Sequence, residues 1–276
     1  MTININGTLL DLSTPKVMGI LNITPDSFYD GGKFNSDKKI LNQVDKMISQ
    51  GADMIDIGGY SSRPNAKEVN RDDEIKRVLP AIELIKNKFN DIIISIDTFR
   101  SEVAKKAINT GASIINDISA GDLDPEMFNC VAELKVPYIM MHMKGTPNNM
   151  QKNPIYENVV SEIIKNLSNK LFLAKKAGIV DVIIDPGFGF GKTASHNYCI
   201  LNNLSFFKEL GCPILVGMSR KSMIYKLLDT NPKNALNGTI CLNTISIING
   251  AKILRVHDVK EAKEVITLTN FLNKNS

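Results

Sequence analysis

Eight short runs of almost entirely apolar residues recur along the chain, and each precedes a longer stretch in which apolar and polar residues alternate with helical spacing. The runs predict strands at 16–21, 54–58, 92–96, 113–115, 138–141, 182–184, 214–216 and 253–256. The intervening stretches predict helices at 36–50, 71–89, 101–110, 125–134, 155–177, 194–210, 222–228, 235–249 and 259–271. Alternation of strands with helices indicates a parallel sheet, and nearly all-apolar strands indicate burial on both faces.

This order predicts an α/β fold, a (β/α)8 TIM barrel, because eight strand–helix units in about 250 residues are typical of that architecture. A doubly wound open sheet is the alternative, but it usually has fewer strands and needs no last helix to close a ring. No linker or low-complexity segment interrupts the units, so we expect one barrel domain over 16–273. Residues 1–15 form a short N-terminal extension in this prediction, with a hairpin turn at Asn6 and Gly7, and they cover the barrel bottom.

Composition narrows the classes of partner. The net charge is +4, but the 33 Lys and Arg residues are interspersed with acids, which indicates solvated helix faces and no nucleic-acid partner. No apolar run approaches the roughly 18 residues of a membrane span, and no signal peptide is visible, so we expect a cytoplasmic protein with no membrane partner. The four cysteines have no metal-binding spacing. Small molecules are the partners that remain.

The most unusual stretch, 185–192 (DPGFGFGK), follows a predicted strand. A strand, a glycine-rich loop and a helix are the parts of a phosphate-binding site, so nucleotide binding is one interpretation. The Walker pattern fails, because its first glycine would fall on Pro186. We therefore expect Asp185 to bind ligand at a strand end, while the glycines let Phe190 approach a flat ring closely.

Polar residues follow all eight predicted strands at the same end. In chain order these positions are Asn22, 58–64, Asp97, Asn116 with Asp117, His142, Asp185, 217–222, and Arg255 with His257. The carboxyl ends of barrel strands carry the active site in this fold. One group offers donors and acceptors for a flat heterocycle: Asp97, Asn116, Asp185 and Lys221. A second group suits a phosphate-like anion: Asn22, Arg63, Arg255 and His257. The amide oxygen of Asn22 also suits Mg²⁺, which binds few protein ligands and prefers substrate phosphates.

Eight motifs in order resemble those of the dihydropteroate synthases, over nearly the whole chain. They are 18–32 (MGILNITPDSFYDGG), 56–64 (DIGGYSSRP), 95–98 (SIDT), 115–117 (IND), 141–147 (MHMKGTP), 185–192, 217–222 (GMSRKS) and 255–257 (RVH). The resemblance implies a barrel, a homodimer, a role in folate biosynthesis and inhibition by sulfonamides. It also implies a transferase that joins p-aminobenzoate to (7,8-dihydropterin-6-yl)methyl diphosphate and releases diphosphate.

The resemblance also implies roles for individual residues. The pterin would be held by Asp97, Asn116, Asp185 and Lys221. The diphosphate would be held by Arg63, Arg255 and His257, with Mg²⁺ at Asn22 as the cofactor, and Ser62 would contact the substrate. The p-aminobenzoate site would be shaped by Phe28, Pro64, Lys221 and Ser222, and a mobile first loop would carry Asp26, Phe28 and Asp30. The catalytic roles would fall to Asp97, Lys221, Arg255 and His257, which would assist an SN1-like loss of diphosphate.

The chain departs from the family pattern at two positions. Tyr60 stands where the family usually has Glu, which removes a charge near the anion-binding loop, and Ser62 stands where it usually has Thr. Arg220 is expected to form a structural ion pair, whereas the role of His142 stays open. Two other functions remain: a methyltransferase that transfers a methyl group from a folate to a corrinoid, and a non-catalytic pterin-binding paralogue.

Overall fold

The computed structural model describes residues 1–23, 33–60, 69–147, 149–150 and 152–275. Two strands form an N-terminal hairpin, β1 (Thr2–Ile5) and β2 (Thr8–Asp11). Eight more form the central sheet: β3 (Lys16–Asn22), β4 (Met54–Gly58), β5 (Ile93–Asp97), β6 (Ile114–Asp117), β7 (Tyr138–Met141), β8 (Val182–Asp185), β9 (Leu215–Val216) and β10 (Ile253–Val256).

All neighbouring strands of the central sheet run parallel, in the order β8-β7-β6-β5-β4-β3-β10-β9. A parallel bridge between Ile184 and Ile214 joins the two outermost strands, and the amide of Ile184 donates to the carbonyl of Pro213 over 2.9 Å. The sheet is therefore a nearly closed barrel, and the predicted TIM-barrel fold is confirmed. The open-sheet alternative is wrong, because β8 and β9 meet.

The helices surround the barrel. They are α1 (Lys33–Ser49), α2 (Arg71–Lys88), α3 (Ser101–Thr110), α4 (Met127–Leu134), α5 (Val159–Ala177), α6 (Ala194–Asn202), α7 (Ser222–Tyr225), α8 (Leu236–Ile248) and α9 (Val259–Lys274). Short 3₁₀ helices occupy Leu204–Leu210 and Pro232–Asn234. None of the helices in the described ranges combines the length and apolar character that crossing a bilayer requires.

Several predicted helix boundaries differ from the observed ones, and two of the differences have a local reason. The predicted helix 194–210 is interrupted at Asn203, whose side chain donates to the carbonyl of Cys199 and so competes with the helical backbone. The predicted helix 155–177 begins later, because Asn158 accepts a hydrogen bond from the amide of Ser161 and caps α5. The predicted helix 222–228 ends at Tyr225.

The N-terminal hairpin covers the end of the barrel opposite the polar strand ends. Its turn places Asn6 and Gly7 at positive φ, as a two-residue hairpin turn requires. The apolar side chains of Ile3 and Ile5 in the hairpin, and of Leu12 just after it, are buried against residues near the start of the barrel strands. The strand residues in this cluster are Met18, Met54, Ile93, Ile114, Ile139, Ile183, Leu215 and Ile253. This apolar cluster thus closes the bottom of the barrel, and the candidate site residues lie at the opposite end.

Candidate active site at the carboxyl ends of the barrel strands

Arg255 joins two carboxylates at the top of the barrel. From β10 its side chain extends over β3, donating from Nε to Asp56 Oδ2 and from Nη2 to Asp97 Oδ2, each over 2.6 Å. The Nδ2 of Asn116 donates to the same Asp56 oxygen over 3.1 Å. Three of the predicted site residues, Asp97, Asn116 and Arg255, therefore lie together around Asp56.

The charges in this cluster are strongly coupled. Burial raises the pKa of Asp97 to about 7; Arg255 opposes this shift and the neighbouring Asp56 adds to it. Burial also works against the positive charge of Arg255, but the two carboxylates outweigh it and raise the pKa of the guanidinium further. Arg255 is thus a permanent cation whose guanidinium orientation is set by two acids.

Asp56 is a site residue that the sequence interpretation missed. It is completely buried in the middle of β4, and its Oδ1 has no partner among the described residues. Burying a carboxylate is costly unless it is paired. The available signal was a charged residue inside an otherwise apolar strand, Met54–Gly58.

Asp185 and Lys221 form a second part of the site. Asp185 ends β8, and its Oδ1 accepts the amide of Gly187 over 2.7 Å. Burial raises the pKa of Asp185, although Lys221 opposes the shift. Lys221 Nζ donates to the carbonyl of Phe188 over 2.6 Å and lies 4.7 Å from the ring centroid of Phe190. Burial lowers the pKa of Lys221 to about 8, and Asp185 opposes that shift.

Lys192 is the second residue that the sequence interpretation left without a role. Its side chain is buried, and its Nζ lies 3.0 Å from His142 Nδ1. The same ammonium donates to the carbonyls of His142, Gly187 and Phe190 at 3.2, 2.8 and 2.9 Å. His142, whose role was open, is therefore a buried partner of Lys192. Burial lowers the pKa of the imidazole to about 2, with Lys192 adding to the shift.

Ser219 positions His257 beside the rim. The amide of His257 donates to Ser219 Oγ over 3.2 Å, and the same hydroxyl lies 3.1 Å from His257 Nδ1. The His257 side chain is exposed, as is Ser222 at the start of α7. Both can therefore reach a ligand above the barrel.

Arg220 has the structural role that was predicted. It contacts Asp258 through two parallel hydrogen bonds, Nε to Oδ2 and Nη2 to Oδ1, both 2.8 Å. Its Nη1 donates to the carbonyls of Pro232 and Lys233. The Arg220 guanidinium therefore links the segment after β9 to the start of α9. The same segment carries Lys221.

Tyr60 packs in an aromatic and cationic cluster. Its ring meets Phe99 edge-on at 5.3 Å, and the guanidinium of Arg100 lies 5.6 Å from its centroid. Arg100 also forms an ion pair with the buried Glu74 and donates to the carbonyl of Val69. Glu74 thus supplies a carboxylate near the position where Tyr60 lacks the acid that is usual in the family.

The described residues contain no group of three His, Cys, Asp or Glu side chains that could hold a metal ion. Asn22 nevertheless ends β3, and its Oδ1 and Asp97 Oδ2 each lie 3.6 Å from the point that a Cβ on Gly58 would occupy. The amide oxygen of Asn22 fits Mg²⁺, which often has one or two protein ligands and completes its shell with water and phosphate.

Several predicted site residues lie outside the described part of the chain. They are Asp26, Phe28, Asp30, Ser62, Arg63 and Pro64. Their predicted roles remain predictions.

The fold and this rim of carboxylates, amides and cations define a pterin-binding barrel enzyme. The family model described as pterin binding enzyme matches residues 18–257, and the chain belongs to that family. Dihydropteroate synthase of Haemophilus influenzae is 45% identical over 268 residues, covering 96% of this chain and 97% of the relative. Within the pterin-binding enzymes, the chain is therefore a member of the dihydropteroate synthases.

Solved structures agree with this assignment. The Yersinia pestis dihydropteroate synthase in a sulfonamide drug complex superposes with a TM-score of 0.93 at 40% identity, covering 100% of both chains. The Xanthomonas albilineans dihydropteroate synthase in complex with 7,8-dihydropteroate gives 0.88 at 36% identity, covering 99% of both chains. The similarity extends over the whole barrel and its N-terminal extension.

Proposed function

We propose that this protein is a dihydropteroate synthase that condenses p-aminobenzoate with (7,8-dihydropterin-6-yl)methyl diphosphate, giving 7,8-dihydropteroate and diphosphate in folate biosynthesis. The observation that carries the proposal is the convergence on one rim of the Asp56–Arg255–Asp97 cluster with Asp185 and Lys221, which both contact the glycine-rich loop. Relatives of the same length, including one solved with 7,8-dihydropteroate, support it.

The pterin would lie between the two parts of the site. Asp185 uses Oδ1 for the amide of Gly187, and its Oδ2 accepts no hydrogen bond from a described residue. That oxygen suits the pterin amino group and ring N–H. Asn116 donates to Asp56 through Nδ2, which leaves its amide oxygen for another ring donor. Lys221 would donate to a ring acceptor, and Phe190 would contact the ring face.

The chemical step breaks the bond between the pterin methylene carbon and the diphosphate oxygen, and the electron pair leaves with diphosphate. The aromatic amine of p-aminobenzoate then forms the new C–N bond and loses a proton to solvent or diphosphate. We expect an SN1-like course, because the electron-rich pterin and the Asp97 and Asp185 carboxylates stabilise a cationic methylene. Arg255 and the exposed His257 would bind the departing diphosphate and stabilise its growing charge.

We propose Mg²⁺ as the cofactor, held by the Asn22 oxygen together with the substrate phosphates. When bound, it would offset negative charge on the leaving group. The position of the Asn22 side chain at the end of β3, with its Oδ1 beside Gly58, supports this site.

We also propose that the protein is a cytoplasmic homodimer. Exposed apolar side chains on α8 and α9, which pack side by side, support a subunit interface: Ile245, Ile248, Leu268, Phe271 and Leu272. Free cysteines at Cys130, Cys199, Cys212 and Cys241 support a reducing compartment.

The test is release of diphosphate from the pterin substrate in the presence of Mg²⁺, with and without p-aminobenzoate. We expect release that depends on p-aminobenzoate and equals the amount of 7,8-dihydropteroate formed. Pterin binding without release would instead favour a non-catalytic pterin-binding protein. Methyl transfer to a corrinoid without release would favour the methyltransferase.

A further inference from the structure

Lys192 has an unusual environment for a lysine, because it is 4% exposed and its immediate partners are neutral. Its Nζ has four acceptors within 3.2 Å, three backbone carbonyls and the Nδ1 of His142. An ammonium group has only three hydrogens to donate. Burial lowers the pKa of Lys192 to about 7, and Asp185 opposes the shift. In its ammonium form, the group draws these backbone carbonyls together around one charge.

The segments that it gathers are the glycine loop, 186–191, and the residues after β7. Backbone packing between them is too close for side chains: a Cβ on Gly187 would overlap the carbonyl oxygen of His142, and one on Gly191 would lie 2.5 Å from that of Lys144. Both glycines have positive φ, which other residues rarely adopt. The loop thus packs closely against the residues after β7, and the Lys192 ammonium lies between the two segments.

The opposite side of the loop faces the predicted pterin site. The carbonyls of Gly187 and Phe190 accept from Lys192, whereas the carbonyl of Phe188 accepts from Lys221. The ring of Phe190 lies 4.7 Å from the Lys221 ammonium. The loop is therefore held between two ammonium groups, one internal and one on the ligand side.

We propose that Lys192 is a positioning residue for the pterin ring: its buried ammonium holds the glycine loop on the end of β7 and thereby places Phe190 and Lys221 against the ring. It does not touch the substrate. This inference rests on the proposed function, because it assigns the loop to pterin binding. The ring subsite depends on Lys192, whereas the diphosphate subsite around Arg255 is built on other strands and does not.

The test substitutes Lys192→Met, which keeps the length of the side chain and removes the ammonium. We expect the KM for the pterin diphosphate to rise by about tenfold or more, equal to about 1.4 kcal/mol. A dihydropterin that lacks the diphosphate should bind at least about tenfold more weakly, whereas inorganic diphosphate with Mg²⁺ should bind as in wild type.

Lys144→Met is the matched control, since Lys144 lies in the same segment but its half-exposed ammonium contacts Ile155 and Glu162 instead of the loop. It should leave ring binding unchanged. Lys192→Gln retains two N–H donors and should give an intermediate loss; it also replaces Lys192→Met if the methionine variant does not fold. Circular dichroism and thermal unfolding establish that each variant is folded.

Unchanged ring binding in folded Lys192→Met would overturn the inference, as would equal weakening of ring and diphosphate binding. Failure of both Lys192 variants to fold would also overturn it, in favour of a purely structural role. Absence of ring binding by the wild-type protein is a separate outcome, which rejects the proposed function and this inference with it.

Discussion

Arg255 Nε donates to Asp56 Oδ2 over 2.6 Å, although the two residues are 199 positions apart in the chain. The contact joins β10 to β4 across the intervening β3. Asp56 is fully buried, so its negative charge is stabilised chiefly by this guanidinium. The pair therefore sets the direction in which Arg255 presents its remaining N–H groups.

We expect Asp56→Asn to lower kcat/KM by about 10- to 100-fold, the range typical of residues that orient a functional group from behind. The amide keeps the shape of the carboxylate but removes one of the two charges that orient Arg255. Steady-state kinetics measure the effect. Asp53→Asn is the control, because Asp53 precedes the same strand at the bottom of the barrel and binds Lys263 and the amide of Val17. An equal loss in both variants would contradict the positioning role of Asp56.

Arg255→Ala should lower kcat/KM by more than about tenfold, or 1.4 kcal/mol of transition-state stabilisation, because the leaving diphosphate loses a permanent cation. It should also lower stability by about 3–5 kcal/mol, since Asp56 is left buried without its partner. Kinetics at a temperature well below unfolding separate the two effects. Arg71→Ala, an exposed arginine on α2, should change neither. A loss of less than about tenfold in kcat/KM would exclude the leaving-group role of Arg255.

Pterin affinity should fall as the pH rises above about 8, because burial lowers the pKa of Lys221 to about 8. A lowered lysine pKa means that the donor proton is lost at a lower pH than usual. At pH 9 only about one tenth of the protein would carry the ammonium, so the apparent affinity for a dihydropterin should be about tenfold lower than at pH 7. Calorimetry at both pH values measures this change. Lys221→Met keeps Asp97 and Lys192, whose pKa values are both about 7, so its own change between the two pH values is subtracted. The loss of affinity in the wild-type protein should exceed that change.

Stability should fall in acid through His142. Burial and Lys192 lower the folded-state pKa of His142 to about 2, so the folded protein keeps the imidazole neutral while the unfolded chain binds a proton below about 6.5. The unfolded state then binds more protons, and stability decreases as the pH falls below that value. The His142 contribution amounts to about 1.4 kcal/mol between pH 7.5 and 5.5. Other groups also titrate, so urea unfolding of wild type and His142→Gln is compared. The prediction fails if the two proteins lose stability equally over this range.

Phe271→Glu should convert the proposed dimer to a monomer, because it places a charge on the exposed apolar face of α8 and α9. Light scattering after size exclusion measures the mass. Phe172→Glu is the matched control, since Phe172 on α5 is 68% exposed and Phe271 is 72% exposed. A dimer that survives in Phe271→Glu would place the interface elsewhere.

The barrel was predictable because its signals are local. Each apolar run is one buried strand, and parallel strands bring all their carboxyl ends to one edge, so Asp97, Asn116, Asp185 and Arg255 were expected together. Helix ends were less predictable at Asn158 and Asn203. There, side-chain hydrogen bonds to neighbouring backbone groups decide where the helix begins or ends.

The glycine-rich stretch 185–192 also shows which features the sequence could predict and which it could not. By itself the sequence determined that 185–192 is a loop between a strand and a helix, and that the Walker pattern fails there. Only the tertiary structure decided the roles of Asp56 and Lys192, because Asp56 is paired with Arg255 of β10 and Lys192 meets His142 as well as two carbonyls of its own loop. A charge in an apolar strand and a lysine after a glycine loop have the same local sequence whether they face solvent or the interior. Burial and pairing, which depend on the closed barrel, decide what each charge does.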